Sequence, residues 1–183
     1  MNIVAKMATT WARALRLARV TIGKADIGKE PSDEWKSRML LSEHSPIRAV
    51  EYDIDIDGVR QWVTVHIARH HEGVEKFVHS QREDRRVLDC SRDELPQGTL
   101  NDMTLIANAQ GLINISRKRL CNCASKETRE CWEGVKDAVA IVDPIMASKM
   151  VRECLYRGFC PELKPCGFAE TEKYFDLLKE YRK

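Results

Sequence analysis

The sequence predicts an α+β fold, an antiparallel sheet with packed helices, on three observations. Val50, Tyr52, Ile54 and Ile56 alternate with Glu51, Asp53, Asp55 and Asp57, the period of two that marks a strand with one wet face. Apolar residues recur at helical spacing on both sides of that stretch. The strand signals fall together between helical segments instead of alternating with them, which favours an antiparallel sheet.

In chain order, residues 10–22 place apolar side chains at helical spacing behind Thr10, a suitable N-cap. Arg13, Arg16 and Arg19 recur along this helix and read as a solvated face. After a loop between Gly23 and Gly28, Pro31-Ser32-Asp33-Glu34 opens a second helix, with Ser32 as N-cap and acids in the first turn; Ser45-Pro46 ends it. Asp57-Gly58 reads as a hairpin turn, with a return strand from Val59 to Ile67 that delivers the chain to Arg69. The segment from Asp84 to Gly98 is charged and turn-rich. A long helix is expected from Leu100 to Arg119, striped by Leu100, Met103, Ile106, Ala107, Ala109 and Ile113. Asn108 and Asn114 would sit on its surface, and Arg117, Lys118 and Arg119 at its negative end. Helices over Ala124–Val142 and Pro144–Leu155 follow, the latter capped by Asp143, and Phe168–Lys183 reads as a short amphipathic helix. With no repeat and no low-complexity segment, residues 1–183 are expected to form a single domain.

Composition narrows the function classes. Hydrophobic residues make up 43% of 183 positions, enough for a real core. Thirty Lys and Arg against 28 Asp and Glu leave a formal charge of +2, too balanced for wholesale binding to nucleic acid or an anionic membrane, so any anion site is local. No apolar run approaches the ~20 residues of a membrane span, and the N-terminus lacks a signal-peptide core; a soluble cytoplasmic protein is expected. The seven cysteines are an odd number, so a disulfide framework is not expected. Cys121-x-Cys123 and the trio Cys154, Cys160 and Cys166 lack paired knuckles, and no histidine follows His79. No metal is therefore expected, and burial as small apolar side chains accounts for most of these thiols.

The densest chemistry lies in residues 68–82, where Arg69, His70, His71, His79, Ser80 and Arg82 fall within fifteen positions. Arginine stays protonated and offers a planar fork of donors, so two arginines beside a serine hydroxyl suit phosphate or another oxyanion. The plainer alternative is a solvated loop.

These residues carry a resemblance. Arg69-His70-His71 and Ser80-Gln81-Arg82 resemble the two ends of the Arg-His-Arg…Ser-x-Arg signature of the flavin-dependent thymidylate synthases, with one extra residue between them. Leu17-Ala18-Arg19-Val20-Thr21, Ser45-Pro46, Arg92-Asp93-Glu94-Leu95-Pro96 and Asn108-Ala109-Gln110-Gly111-Leu112-Ile113-Asn114 resemble further family segments in the same order, and Arg119, Ala124 and Glu127 follow in register. The resemblance spans roughly residues 12–166. His71 stands in place of the last arginine of the signature, His66 in place of a glutamine, Ala49 in place of a histidine, Phe77-Val78 in place of Asn-Glu and Gln110 in place of an arginine. Arg82 and Arg92 are also much closer in sequence than in the family.

The resemblance implies the fold of thymidylate synthase-complementing proteins, as a homotetramer with active sites between subunits. It implies FAD as cofactor, NADPH and methylenetetrahydrofolate as co-substrates, and transfer of a one-carbon unit to C5 of dUMP. By this likeness Ser80, Gln81, Arg82, Arg92 and His66 hold the nucleotide, Arg119 addresses its pyrimidine, and Arg69, His70, His71, Asn108 and Asn114 face the flavin; Ser80 and Arg119 are the catalytic candidates. The alternatives are a chain that binds a pyrimidine deoxynucleotide without flavin redox chemistry, and one that hydroxymethylates or acts on cytosine.

Overall fold

The computed structural model describes residues 1–82, 84, 85 and 90–183. Among these residues four strands form one antiparallel sheet in the order β1-β2-β4-β3: β1 is Asn2–Met7, β2 Glu51–Arg60, β3 Val74–Val78 and β4 Leu100–Asn108. The helices are α1 Trp11–Val20, α2 Asp33–Leu41, α3 Gln61–Ala68, α4 Ala109–Arg119, α5 Lys126–Val142, α6 Pro144–Lys149, α7 Glu153–Arg157 and α8 Glu172–Tyr181. The predicted α+β class with an antiparallel sheet is what the chain adopts.

One face of the sheet is dry. Ala5, Ile54 and Leu105 lie abreast across β1, β2 and β4, with Tyr52 and Ala107 in the next row, and all five are buried. α5 lies against β1 and β2, closing this face with Cys131, Trp132, Val135 and Val139. The opposite face carries Val4, Asp53, Asp55, Thr104 and Phe77, the alternation expected of a sheet wet on one side. Asp143 ties strand to helix: its Oδ2 accepts from Trp11 Nε1 and from Tyr52 OH, each at 2.6 Å, and its Oδ1 accepts from the backbone N–H of Met146 at 2.9 Å.

Four expectations about strands and helices are corrected. Asp57-Gly58 makes a bulge within β2, with Gly58 at φ +69°, and β2 continues to Arg60 opposite Leu100. Both a tight turn and a bulge need φ > 0, so the dipeptide alone does not distinguish them. The predicted return strand is instead α3, where Val63, Thr64 and Ile67 turn inward at helical spacing while Val65 is exposed; packing against α5 overrides the β-branched preference. The long helix from Leu100 begins only at Ala109. Residues 100–108 are the central strand β4, with Asn101, Met103, Leu105 and Ala107 buried on one parity. Finally, β1 and β3 form the sheet edges where no strand was expected.

Other local readings agree with the structure. Ser32 caps α2 by accepting from Trp35 N–H, and Asp143 and Pro144 open α6, although a break at residues 150–152 separates α6 from α7. Thr10 occupies the N-cap of α1 without a side-chain cap bond. Of the seven cysteines, none in a disulfide, Cys131 and Cys154 are buried and the other five are not, which corrects the expectation of mostly buried thiols. Among the described residues no helix is long and apolar enough to cross a membrane.

Candidate active site

The site is assembled where the 69–73 segment, leaving α3, folds over the first turns of α4. Asn108 ends β4 and caps α4, its Oδ1 accepting from the Gly111 N–H at 2.9 Å, while its own backbone N–H donates to Gly73 O at 2.9 Å. Gly73 holds φ +70°, and a Cβ there would meet Asn108 Oδ1 at 2.5 Å. Gly111 is equally constrained, since its Cβ would lie 2.4 Å from Gly73 O. Two residues without side chains thus let the backbone of 72–73 rest on the helix, and Arg69, His70, His71 and Glu72 share an open pocket with Asn114 and Ile115 of α4.

Arg119, one turn beyond Ile115, enters from behind. Its Nε donates to His70 Nε2 at 2.9 Å and its Nη2 to the carbonyl of His66 at 2.6 Å. Nη1 has no protein partner among the described residues and remains able to donate. His66 is held in turn, its Nδ1 3.0 Å from the Thr128 hydroxyl and its ring edge-on to Trp62.

The electrostatics of this cluster are one-sided. Burial first, then the charges of Arg119, Lys76, Arg69 and His71, push His70 down to about 4, so its imidazole is neutral and accepts from Arg119. Burial, then Arg69, also lowers the Arg119 guanidinium. The charges acting on His70 are all positive, an arrangement that an anion would relieve.

This gives a pH prediction. The unfolded imidazole titrates near its ordinary 6.5 and the folded one near 4, so the stability tied to neutral His70 is present above pH 6.5 and is lost as pH falls through 4. Melting measured between pH 7 and pH 4.5 is expected to show a steeper acid loss for the wild type than for His70→Gln, which keeps an acceptor but does not titrate. Equal slopes would remove His70 as the cause.

Of the residues expected around the nucleotide, His66 and Arg119 meet here and the other four do not line this pocket. Ser80, Gln81 and Arg82 follow β3, and none lines the pocket of Arg69 and His70. Ser80 Oγ accepts from the Arg82 backbone N–H at 3.3 Å, and the exposed Arg82 guanidinium pairs with Asp84 at 3.1 Å. Arg92 opens a single turn, Arg92–Glu94, capped by Ser91, and is exposed. Asn108 is committed to its cap, whereas Asn114 faces the pocket and accepts from Gln110 and Arg117.

Sequence reasoning passed over Lys76 and Glu43. Lys76 donates to the His70 carbonyl at 2.5 Å and stands 3.5 Å from His71 Nδ1, bracing the loop from β3. Its signal was the short Val74-x-Lys76-x-Val78 alternation. Glu43, in a left-handed conformation with φ +48°, pairs with Arg117 and accepts from Gln110 at 2.5 Å, which fixes the partners of Asn114. No sequence signal marks it.

No family model and no curated protein matches the sequence. Solved structures do match in shape. The flavin-dependent thymidylate synthase ThyX from Helicobacter pylori, complexed with FAD and dUMP, is 17% identical and superposes with a TM-score of 0.57 over 75% of this chain and 93% of its own. A second ThyX structure from that organism, also with FAD and dUMP, gives 0.61 at 14% identity, over 80% of this chain and 99% of its own. The chain has the ThyX fold. The UMP/dUMP methylase PolB from Streptomyces cacaoi, bound with 5-Br dUMP, shares it at 14% identity and a TM-score of 0.61, over 86% of this chain and 96% of that one. In this chain three cationic side chains, Arg69, Lys76 and Arg119, gather around a neutral His70.

Proposed function

We propose that the chain is a dUMP-modifying enzyme of the flavin-dependent thymidylate synthase type, transferring a one-carbon unit from methylenetetrahydrofolate to C5 of dUMP in the cytoplasm. The observation that carries this reading is the cationic cluster of Arg69, Lys76 and Arg119 around neutral His70, at an open pocket of a fold whose solved relatives hold FAD and dUMP. Its donor set fits a flavin dinucleotide: guanidinium and imidazole groups suit a pyrophosphate, and the Asn114 amide suits a polar ring edge. Arg69, His70, His71 and Asn114 would hold FAD, with Asn108 shaping the loop they stand on. When bound, FAD supplies the redox chemistry, with NADPH as reductant.

The remaining work falls to the chain's own side chains. The Nη1 of Arg119, without a partner among the described residues, is suited to donate to a uracil carbonyl and stabilise the negative charge that develops as C5 becomes nucleophilic. Its other two nitrogens, fixed on His70 and His66, keep it aimed without reorganisation. Ser80, Gln81, Arg82 and Arg92 would take the nucleotide phosphate and sugar, each charged hydrogen bond contributing about 1.5–3 kcal/mol. That these residues stand apart from Arg69 and His70 on one chain supports a site completed between copies, in a homotetramer.

The purified protein is expected to absorb in the flavin band, or to do so after FAD is added, and to melt higher with dUMP. Arg119→Ala should abolish the dUMP shift. A colourless protein that dUMP nonetheless stabilises would leave a nucleotide-binding module without flavin chemistry; no response to either ligand would end the proposal.

A further inference from the structure

Four thiols from segments far apart in sequence line one small cavity. Cys121 follows the C-terminal end of α4, Cys154 lies in α7, and Cys160 and Cys166 sit in the chain between α7 and α8; Arg152 and Glu153 line the same cavity. Cys123 is adjacent, its Sγ 3.9 Å from the Lys164 carbonyl. None of the seven cysteines is in a disulfide.

The surrounding fold is short of other means to hold this region. Residues 158–167 form neither helix nor strand, and left-handed glycines, Gly158 at φ +82° and Gly167 at φ +78°, stand at both ends. Phe159 and Leu163 face solvent, so apolar burial does not pin the segment. It rests on a minor core of Val151, Cys154, Leu155, Tyr174 and Tyr181, separate from the core under the sheet. Small cores of this kind are where metal or disulfide staples supply the missing stability.

We propose that Cys121, Cys154, Cys160 and Cys166 bind a zinc ion as four thiolates, fastening α7 and the 158–167 segment to the end of α4. Four sulfur ligands in a tetrahedral array suit Zn²⁺. Each thiol releases its proton to solvent as its S–Zn bond forms, and nothing is oxidised or reduced. Arg152, on the cavity wall, offsets part of the resulting negative charge. As they stand the thiols are not closed on a common point: among the described residues no group of three or more His, Cys, Asp or Glu is arranged to hold a metal ion. Closure is therefore part of the proposal, each Sγ turning about χ1 among its staggered positions as the metal binds. The ligands come singly from the end of α4 and from α7 and as a widely spaced pair from a loop, so the sequence shows no paired knuckle.

The test uses the full chain, independently of flavin or nucleotide. Elemental analysis of the purified protein is expected to find about one zinc per chain, and chelation to lower its melting temperature. Cobalt(II) loaded in its place should give the intense near-ultraviolet thiolate band of a tetrahedral sulfur site. Cys160→Ser and Cys166→Ser should weaken cobalt binding by about tenfold or more, since even the outer partners of metal ligands are worth that much. Cys131→Ser, in the core under the sheet and not on this cavity, should leave it unchanged. A wild-type chain with neither zinc nor a cobalt–thiolate band overturns the proposal whatever the variants do. So does a cobalt band that survives both loop substitutions, or iron with acid-labile sulfide in place of zinc.

Discussion

Asp143→Ala is expected to destabilise the protein by about 3–7 kcal/mol, the largest loss expected from any single side chain. The carboxylate is 4% exposed and accepts three hydrogen bonds, from the Trp11 indole, the Tyr52 hydroxyl and the Met146 backbone N–H. Removing it strands two donors in the core, each worth about 1–3 kcal/mol unsatisfied, and strips α6 of its cap, worth about 1 kcal/mol. Asp143→Asn should recover only part of this. Either orientation of the amide turns its NH₂ toward a group that is itself a donor. Tyr52→Phe, which removes one of the three partners, should cost about 1 kcal/mol. Urea unfolding at pH 7 orders the three variants, and a loss below about 1 kcal/mol for Asp143→Ala would show that the core re-pairs its donors without the carboxylate.

Gly111→Ala reverses the usual sign of its substitution. Within a helix, alanine for glycine ordinarily gains about 0.5–1 kcal/mol. Here the new Cβ would stand 2.4 Å from Gly73 O and 2.9 Å from Gly73 C, both backbone atoms, with the carbonyl fixed by its bond from Asn108 N–H. Nothing flexible can yield, so the 72–73 backbone must lift off α4 at a cost of about 2–4 kcal/mol. Arg69, His70 and His71 ride on that segment. The variant should therefore lose both stability and any ligand response of the pocket, and a Gly111→Ala protein that melts at or above the wild type would refute the close approach.

The class of fold was legible because its strongest signals are local. The acid-apolar alternation of β2, the Ser32 cap and the Asp143-Pro144 start of α6 all depend on neighbours in sequence, and all are found. What could not be read is what depends on partners. β1 has one buried residue, Ala5, and acquires its strand character by pairing with β2. Residues 100–108 carry apolar side chains at spacings that suit a helix, and only their place between β2 and β3 makes them a strand. The site divides in the same way. Arg69, His70 and Asn114 meet at one pocket, and motif order had already grouped them. Lys76 and Glu43 act through contacts that no spacing encodes, and Ser80, Arg82 and Arg92, grouped with the site by the motifs, do not line this pocket.

The replacement of the expected hairpin by a bulge also sets how the molecule must come together. Among the described strands no neighbouring pair is joined by a tight turn: Met7 pairs with Tyr52, Tyr52 with Ala107, and Val78 with Met103. No part of the sheet can therefore form early from local chain alone. Each ladder waits on the closure of a long loop whose entropy is lost before any pairing is gained, placing folding toward the slow end for a chain of this size. Until β2 and β3 arrive, β4 has both edges open and its apolar parity exposed, which makes the partly folded chain prone to associate with other copies.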